Sequence, residues 1–192
     1  MITMKNIIRE GHPTLTTVAK EVKLPLSASD KKLLKDMLDY VKNSQDDEMV
    51  EKYGLRPAVG LAAPQVNVSK RMFAAHVTDF DGILYSYALV NPVLKAASKE
   101  LTYVPGGEGC LSVDRETEGL TPRYQTVVFE ALSYDIESGE LIPIELTLNG
   151  YVGIVFQHEF DHLNGILYVS KLFPEIPNAV PAFSIPKEED SI

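Results

Sequence analysis

A chain of 192 residues, 45% hydrophobic and 23% charged, has the composition of a folded globular protein and the length of one domain with a substantial core, so residues 1–192 read as a single domain. A formal charge of −9 argues against extended contact with nucleic-acid phosphates, and no window approaches the ~18 apolar residues of a membrane span. The amino-terminal MITMKNIIRE carries Lys5, Arg9 and Glu10 where a signal peptide needs an unbroken apolar run, and the lone Cys110 has no disulfide partner within the chain, so a cytoplasmic protein is expected.

The first clear element is PLSASDKKLLKDMLDYVKNSQ. Ser27 can cap a helix with Asp30 three residues on, and Leu33, Leu34, Met37, Leu38 and Val41 form one apolar stripe, better suited to a core than to function. The polar DDEMVEKYGLRPA that follows contains Gly54 and Pro57 and reads as a loop. Runs rich in β-formers come next, at 71–77, 83–90, 93–98, 125–133 and 141–148. DIESGELIPI sets Gly139 between the last two, the pattern of a hairpin turn. NGYVGIVFQHEFDHLNG then reads as a helix capped by Asn149 and stopped by Asn164-Gly165, with Val152, Val155, Phe156 and Phe160 available for burial. Being apolar along most of its length, it belongs inside the fold. The expected architecture is α+β, with antiparallel β-sheets packed around a central buried helix that carries the HEFDH motif.

That helix sets His158 and His162 four positions apart, on one face at roughly 6 Å between Cβ atoms, so both imidazoles can reach one ion. Two histidines that merely pack near a helix end are the bland alternative, but buried imidazoles need partners for their nitrogens. The extended protease motif H-E-x-x-H-x-x-G-x-x-H would need a histidine where Tyr168 stands, and a downstream glutamate ligand would have to be Glu175, in a proline-interrupted tail. The remaining soft ligand is Cys110, in PGGEGCLSV, where Gly106, Gly107 and Gly109 mark a tight passage and Glu108 is held within it. An inert buried thiol is one reading. A thiolate with two imidazoles is the other, and it suits zinc, iron(II) or nickel with a fourth position open. His12 and His76 lie outside these stretches and offer no convincing fourth ligand.

VGLAAPQ (59–65), EGCLS (108–112) and QHEFDH (157–162) resemble, in order and spacing, the three motifs of the peptide deformylases. The likeness runs from IREGHPTL through LVNPVL to HLNGILY. The long loop after the first helix and the lack of an obvious carboxy-terminal helix resemble the second bacterial class, typical of Gram-positive organisms. The resemblance implies hydrolysis of the formyl group from the N-formylmethionine of nascent chains at the ribosome. It implies one divalent ion on Cys110, His158 and His162, iron(II) in the cell, with zinc, nickel or cobalt as alternatives. Such an ion lowers the pKa of its water and makes a nucleophile. Glu159 would take the water proton and deliver it to the departing amine, while the Gln65 amide and the Leu111 N–H stabilise the oxyanion. By the same resemblance Val59, Tyr151, Ile154 and Val155 lie near the methionine pocket, with Glu108 and the backbone around Gly60 and Gly107 lining the entrance. Gly60, Ala62 and Ala63 are small enough to let substrate approach the backbone. Ala58 stands where the family's first motif usually has glycine, which bears on the pocket wall and not on the reaction.

Two other classes of function fit part of this pattern. A general metallopeptidase or amidase would cleave internal or unformylated bonds with the same helix. A binding module would close the site with a fourth protein ligand and yield no product. The partners expected are N-formylmethionyl peptides, with no membrane and no direct nucleic-acid contact, for a monomer. The tail gives no sign of how the protein meets the ribosome, and its acidic end, 188–190, would be repelled by ribosomal RNA.

Overall fold

The computed structural model describes residues 1–184; the acidic stretch 188–190 lies outside them. In chain order the elements are α1 (Ala28–Asn43), α2 (Asp47–Tyr53), β1 (Gly60–Ala62), β2 (Met72–Thr78), β3 (Leu84–Ala97), β4 (Leu101–Tyr103), β5 (Arg123–Tyr124), β6 (Thr126–Tyr134), β7 (Leu141–Asn149), α3 (Gly150–Leu163) and β8 (Val180–Pro181). No helix among the described residues is long and apolar enough to cross a membrane.

α1 begins where its cap predicts, the Ser27 Oγ accepting from the Asp30 backbone N–H at 3.1 Å. Its stripe buries Leu34, Met37, Leu38 and Val41, with Leu33 partly covered. The next segment is not the expected loop. Asp46 caps α2 by accepting from the Met49 N–H at 3.0 Å, and Gly54 closes it in the left-handed region at φ 60°. Gly54 and Pro57 therefore follow this helix instead of interrupting it. Asp47 and Glu48 in its first turn and Lys52 in its last also suit the helix dipole.

Five strands form one antiparallel sheet in the order β1-β2-β3-β6-β7. The two runs expected at 83–90 and 93–98 are one bent strand, β3, whose pairing with β6 shifts register between Val90 and Val93. Asn91 takes a positive φ of 49° there, and its side chain grips the Val22 backbone at both N–H and C=O. Pro92 has no N–H to give the ladder, so a bulge is how the strand continues past it. The hairpin at Gly139 joins β6 to β7 as expected, with the Gly139 N–H donating to the Asp135 carbonyl at 2.8 Å. A smaller sheet, β5-β4-β8, is only partly antiparallel: β8 runs parallel to β4. That two-residue pairing is the one parallel ladder among the described strands, beside the expected antiparallel ones.

Alternation along β2 divides the core. Met72 and Ala74 join the cluster under α1, while Phe73, Ala75 and Val77 join the cluster under α3. The large sheet is thus covered on both faces, and α3 lies between it and the small sheet, touching β1, β2 and β7 as well as β4 and β5. Phe156 anchors the helix, with ring centroids 5.5 Å from Phe73 and 6.3 Å from both Tyr87 and Phe129. Phe160, expected to be buried, is only partly so.

Both ends of α3 are tied to other elements. Asn149 holds the cap position, but its side chain does not cap; its Oδ1 instead accepts from the Thr126 hydroxyl at 2.7 Å. The reason is that Asn149 still belongs to β7, paired with Thr126. At the other end Gly165 has φ 70°, and a Cβ there would come within 2.9 Å of the Thr17 backbone nitrogen. No larger residue fits that stop.

Candidate active site

A cavity of about 460 Å³ opens between α3, the 56–60 segment and the 104–111 loop. Val59, Gly60, Gly107, Glu108, Tyr151, Ile154 and Val155 line it, as do Gln65, Cys110, Leu111, His158 and Glu159. His162 lies behind the wall, 1% exposed. Ala58 is on the wall too, beside Arg56 and Pro57, which the sequence did not single out.

At the back of the cavity the Cys110 Sγ is 3.4 Å from the His162 Nε2, and ligand atoms of Cys110, His158 and His162 all fall within 4.8 Å of one another. An ion bound to sulfur and nitrogen at ~2.0–2.3 Å fits among donors spaced in this way. The donor set fits as well. His158 presents its Nδ1 to the Glu108 Oε2 at 2.7 Å, and an ionised carboxylate only accepts, so Nδ1 carries the proton and Nε2 is left for an ion. Burial pushes the Cys110 thiol up, but the imidazoles of His162 and His158 outweigh it and hold the thiol well below its ordinary value. Tyr168, at the position of the protease motif's third histidine, is buried with its hydroxyl 2.9 Å from that of Thr117, and Glu175 is exposed outside the cluster. Neither protease form is assembled.

Glu108 lines the cavity as expected but is committed inward: its side chain is 4% exposed and both carboxylate oxygens are taken. The Arg123 Nε and Nη2 donate to them at 2.7 and 2.9 Å, while Arg123 Nη1 donates to the Asp161 Oδ2 at 2.5 Å. Lys171 completes the line with its Nζ 2.9 Å from the same Asp161 oxygen. Burial alone would raise the Glu108 carboxyl, yet Arg123 and His158 bring it down to about 2. Arg123, Asp161 and Lys171 were missed from the sequence. The available signal was Asp161 itself, an acid on an apolar helix that has to find a cation.

Glu159 is set differently. It is 4% exposed, and its Oε2 has no hydrogen-bond partner among the described residues. Burial raises its carboxyl to about 7, against the pull of the two imidazoles. Gly60 explains how it fits: a Cβ at that position would lie 2.6 Å from the Glu159 Cδ. The glycine makes room for the carboxyl as well as for any substrate. Gln65, in the short turn Ala63–Val66, has its Oε1 fixed by the Ala62 N–H at 2.9 Å, which turns its NH2 toward the Cys110 Sγ at 3.4 Å and the Ser112 Oγ at 3.3 Å. Leu111 is buried next to Cys110. The loop is held from outside by Arg56, whose Nη2 donates to the Cys110 carbonyl at 3.3 Å while Nη1 pairs with Asp114 at 2.7 Å.

Residues 4–176 match the family model for polypeptide deformylase. The chain belongs to the polypeptide deformylase family. It is 54% identical over 188 residues to peptide deformylase 2 of Bacillus cereus, a match covering 98% of this chain and all of that one. It is also 54% identical over 186 residues to peptide deformylase 2 of Geobacillus stearothermophilus, covering 97% and 98%. Both relatives agree with the resemblance to the Gram-positive class. The crystal structure of the Thermotoga maritima peptide deformylase aligns with a TM-score of 0.65 at 32% identity, over 88% of this chain and 97% of that one. A class I type b peptide deformylase from Acinetobacter baumannii, solved with Met-Ala-Ser bound, aligns with a TM-score of 0.65 at 29% identity, over 86% and 96%.

Proposed function

We propose that this deformylase hydrolyses the formyl group from the N-formylmethionine of nascent polypeptides, with Glu159 as general base and then general acid. The observation that carries the reading is the Glu159 carboxyl, buried beside the Cys110, His158 and His162 cluster with one oxygen unpartnered. A divalent ion on those three residues would supply Lewis-acid polarisation and a water of lowered pKa. Glu159 then accepts a proton from the attacking water and passes it to the leaving amino nitrogen as the formyl C–N bond breaks, giving formate and a free amino terminus. A carboxyl raised to about 7 is suited to both accepting and giving at neutral pH. The Gln65 NH2, held in place by Ala62, and the Leu111 N–H donate to the oxyanion. Glu108 keeps the His158 ring and its tautomer in place, and Arg123 keeps Glu108 ionised.

The apolar lining of Val59, Tyr151, Ile154 and Val155 suits a methionine side chain, and the relative solved with Met-Ala-Ser supports a peptide that starts in this way. Iron(II) is the native ion in this reading, and zinc, nickel and cobalt are substitutes that the same donors accept. We further infer that residues 1–192 act as one catalytic domain, a cytoplasmic monomer that meets nascent chains at the ribosome; the charge of −9 favours contact through the peptide over contact with RNA.

The test is formate release from formyl-Met-Ala-Ser by protein prepared without oxygen and reconstituted with iron(II), nickel, cobalt or zinc, beside Glu159→Ala. Metal-dependent release that the variant loses while still holding metal supports the assignment. Metal binding without formate from any preparation, or cleavage of internal peptide bonds instead, would sink it.

A further inference from the structure

The Leu111 N–H belongs to the peptide unit that begins at the Cys110 carbonyl, and a planar trans peptide points its N–H and its C=O in opposite directions. Whatever holds that oxygen therefore sets the aim of the N–H. Two donors hold it, the Val113 N–H at 3.1 Å and the Arg56 Nη2 at 3.3 Å. The N–H end donates to no group among the described residues, although Leu111 is only 5% exposed. Arg56 is the one side chain among the described residues that reaches this peptide unit.

Arg56 is itself fixed at both ends. Its backbone carbonyl accepts from the Tyr40 hydroxyl at 3.1 Å, and Tyr40 is 1% exposed in α1. Its Nη1 donates to the Asp114 Oδ1 at 2.7 Å, while the Arg9 Nε holds the other Asp114 oxygen at 2.7 Å. The pair is exposed, 43% at Arg56 and 59% at Asp114, and such pairs add little to stability. What the guanidinium offers is direction: a planar fork gripped by a carboxylate through one nitrogen presents the other in a fixed orientation. A cation donating to a peptide oxygen also polarises the peptide and makes its N–H a stronger donor. We propose that Arg56 is a positioning residue for the oxyanion, holding the Cys110 carbonyl so that the Leu111 N–H is aimed and strengthened as a donor. The assignment rests on the deformylase reading above, and it gives a task to a cavity residue that takes no part in metal ligation or proton transfer.

The test is kcat and KM for formate release from formyl-Met-Ala-Ser by Arg56→Gln, Arg56→Lys and Asp114→Asn, with metal content and Tm read on the same samples. Loss of a whole oxyanion donor costs about a hundred- to a thousandfold in kcat, and a donor that is present but misaimed costs less. Arg56→Gln is expected to lower kcat about tenfold with KM, metal content and Tm nearly unchanged, because an interaction made only in the transition state lowers kcat and kcat/KM equally. Arg56→Lys keeps the charge without the fork and should fall between that variant and the parent. Asp114→Asn leaves Arg56 in place with a weaker hold and should lose about threefold in kcat. Being exposed, it tests the assignment even if Arg56→Gln fails to fold. An unchanged kcat in Arg56→Gln and Asp114→Asn overturns the assignment. A raised KM at the parent's kcat overturns it too, by making Arg56 a direct contact of the peptide. So does a kcat loss matched by lost metal, which would make Arg56 a support of the Cys110 ligand alone. A parent that releases no formate with any ion sinks the deformylase reading instead.

Discussion

The two helices that cover the large sheet do so with opposite chemistry. The α1 side is a layer of Leu, Met and Val against Met72, Ala74, Ala88 and Val90, with one buried ion, Asp30, at the rim. The α3 side is apolar only where the helix meets the sheet, through Phe156 and Val152. Its other flank encloses Glu108, Arg123, Asp161, His158, Glu159 and His162. Charge in such a place is tolerable only when each group is partnered: Glu108, Arg123, Asp161 and the His158 Nδ1 have partners within the chain, while the Glu159 Oε2 and the His162 Nδ1 have none among the described residues. The α1 layer supplies stability, and the α3 flank uses it to hold groups that would not stay buried unaided.

The largest effect that follows is at Glu159. Glu159→Ala should lower kcat by about two to four orders of magnitude while metal content and Tm change little, because among the described residues the carboxyl is the one buried acid whose loss leaves no neighbour unpaired. Equal loss of metal in that variant would break the distinction drawn between its role and that of the ligands. Arg123→Ala should act on stability instead, by about 3–5 kcal/mol, since it strands Glu108 and Asp161 inside. It should also weaken metal affinity about 10–100-fold through the loosened His158 ring, which a chelator competition would read. A folded Arg123→Ala protein with native metal affinity would show that Lys171 and solvent suffice to hold the network.

The parts legible beforehand were those with a period or a motif. The α1 stripe, the buried α3 and the long strands follow from spacings that repeat over seven or more residues, and Cys110, His158 and His162 do meet in space. Strands of two or three residues such as β4, β5 and β8 have no room for a period, so the small sheet was missed. The capped but short α2 was hidden by the glycine and proline beyond it. Arg123, in the unremarkable TPRYQ, acquires its role only when folding lays it between Glu108 and Asp161. Glu108 was placed on the correct loop and at the cavity, but its ion pair was not legible, because which way a carboxylate points depends on a cation 15 residues along the chain.

On the α1 side the expected losses are of stability alone. Leu34→Ala removes a fully buried side chain and should cost about 2–5 kcal/mol in denaturant unfolding while kcat of the folded protein is unchanged. A fall in kcat at full occupancy of the folded state would mean that the two faces of the sheet are coupled. The smallest effect belongs to Asp30. Burial pushes its carboxyl up, but hydrogen bonds from Lys70 and Ser27 outweigh that and hold it below its ordinary 3.8. A carboxyl lowered on folding adds stability that is fully present above the unfolded value and vanishes as pH falls through the folded one. Lys70 is 38% exposed, so solvent screening keeps the contribution to ~1 kcal/mol or less. Asp30→Asn should therefore lower Tm by a few degrees at pH 7, and the gap from the parent should close as the pH is taken well below 3.8. A gap that stayed constant to low pH would assign the loss to the helix cap at Ser27 and not to the ion pair.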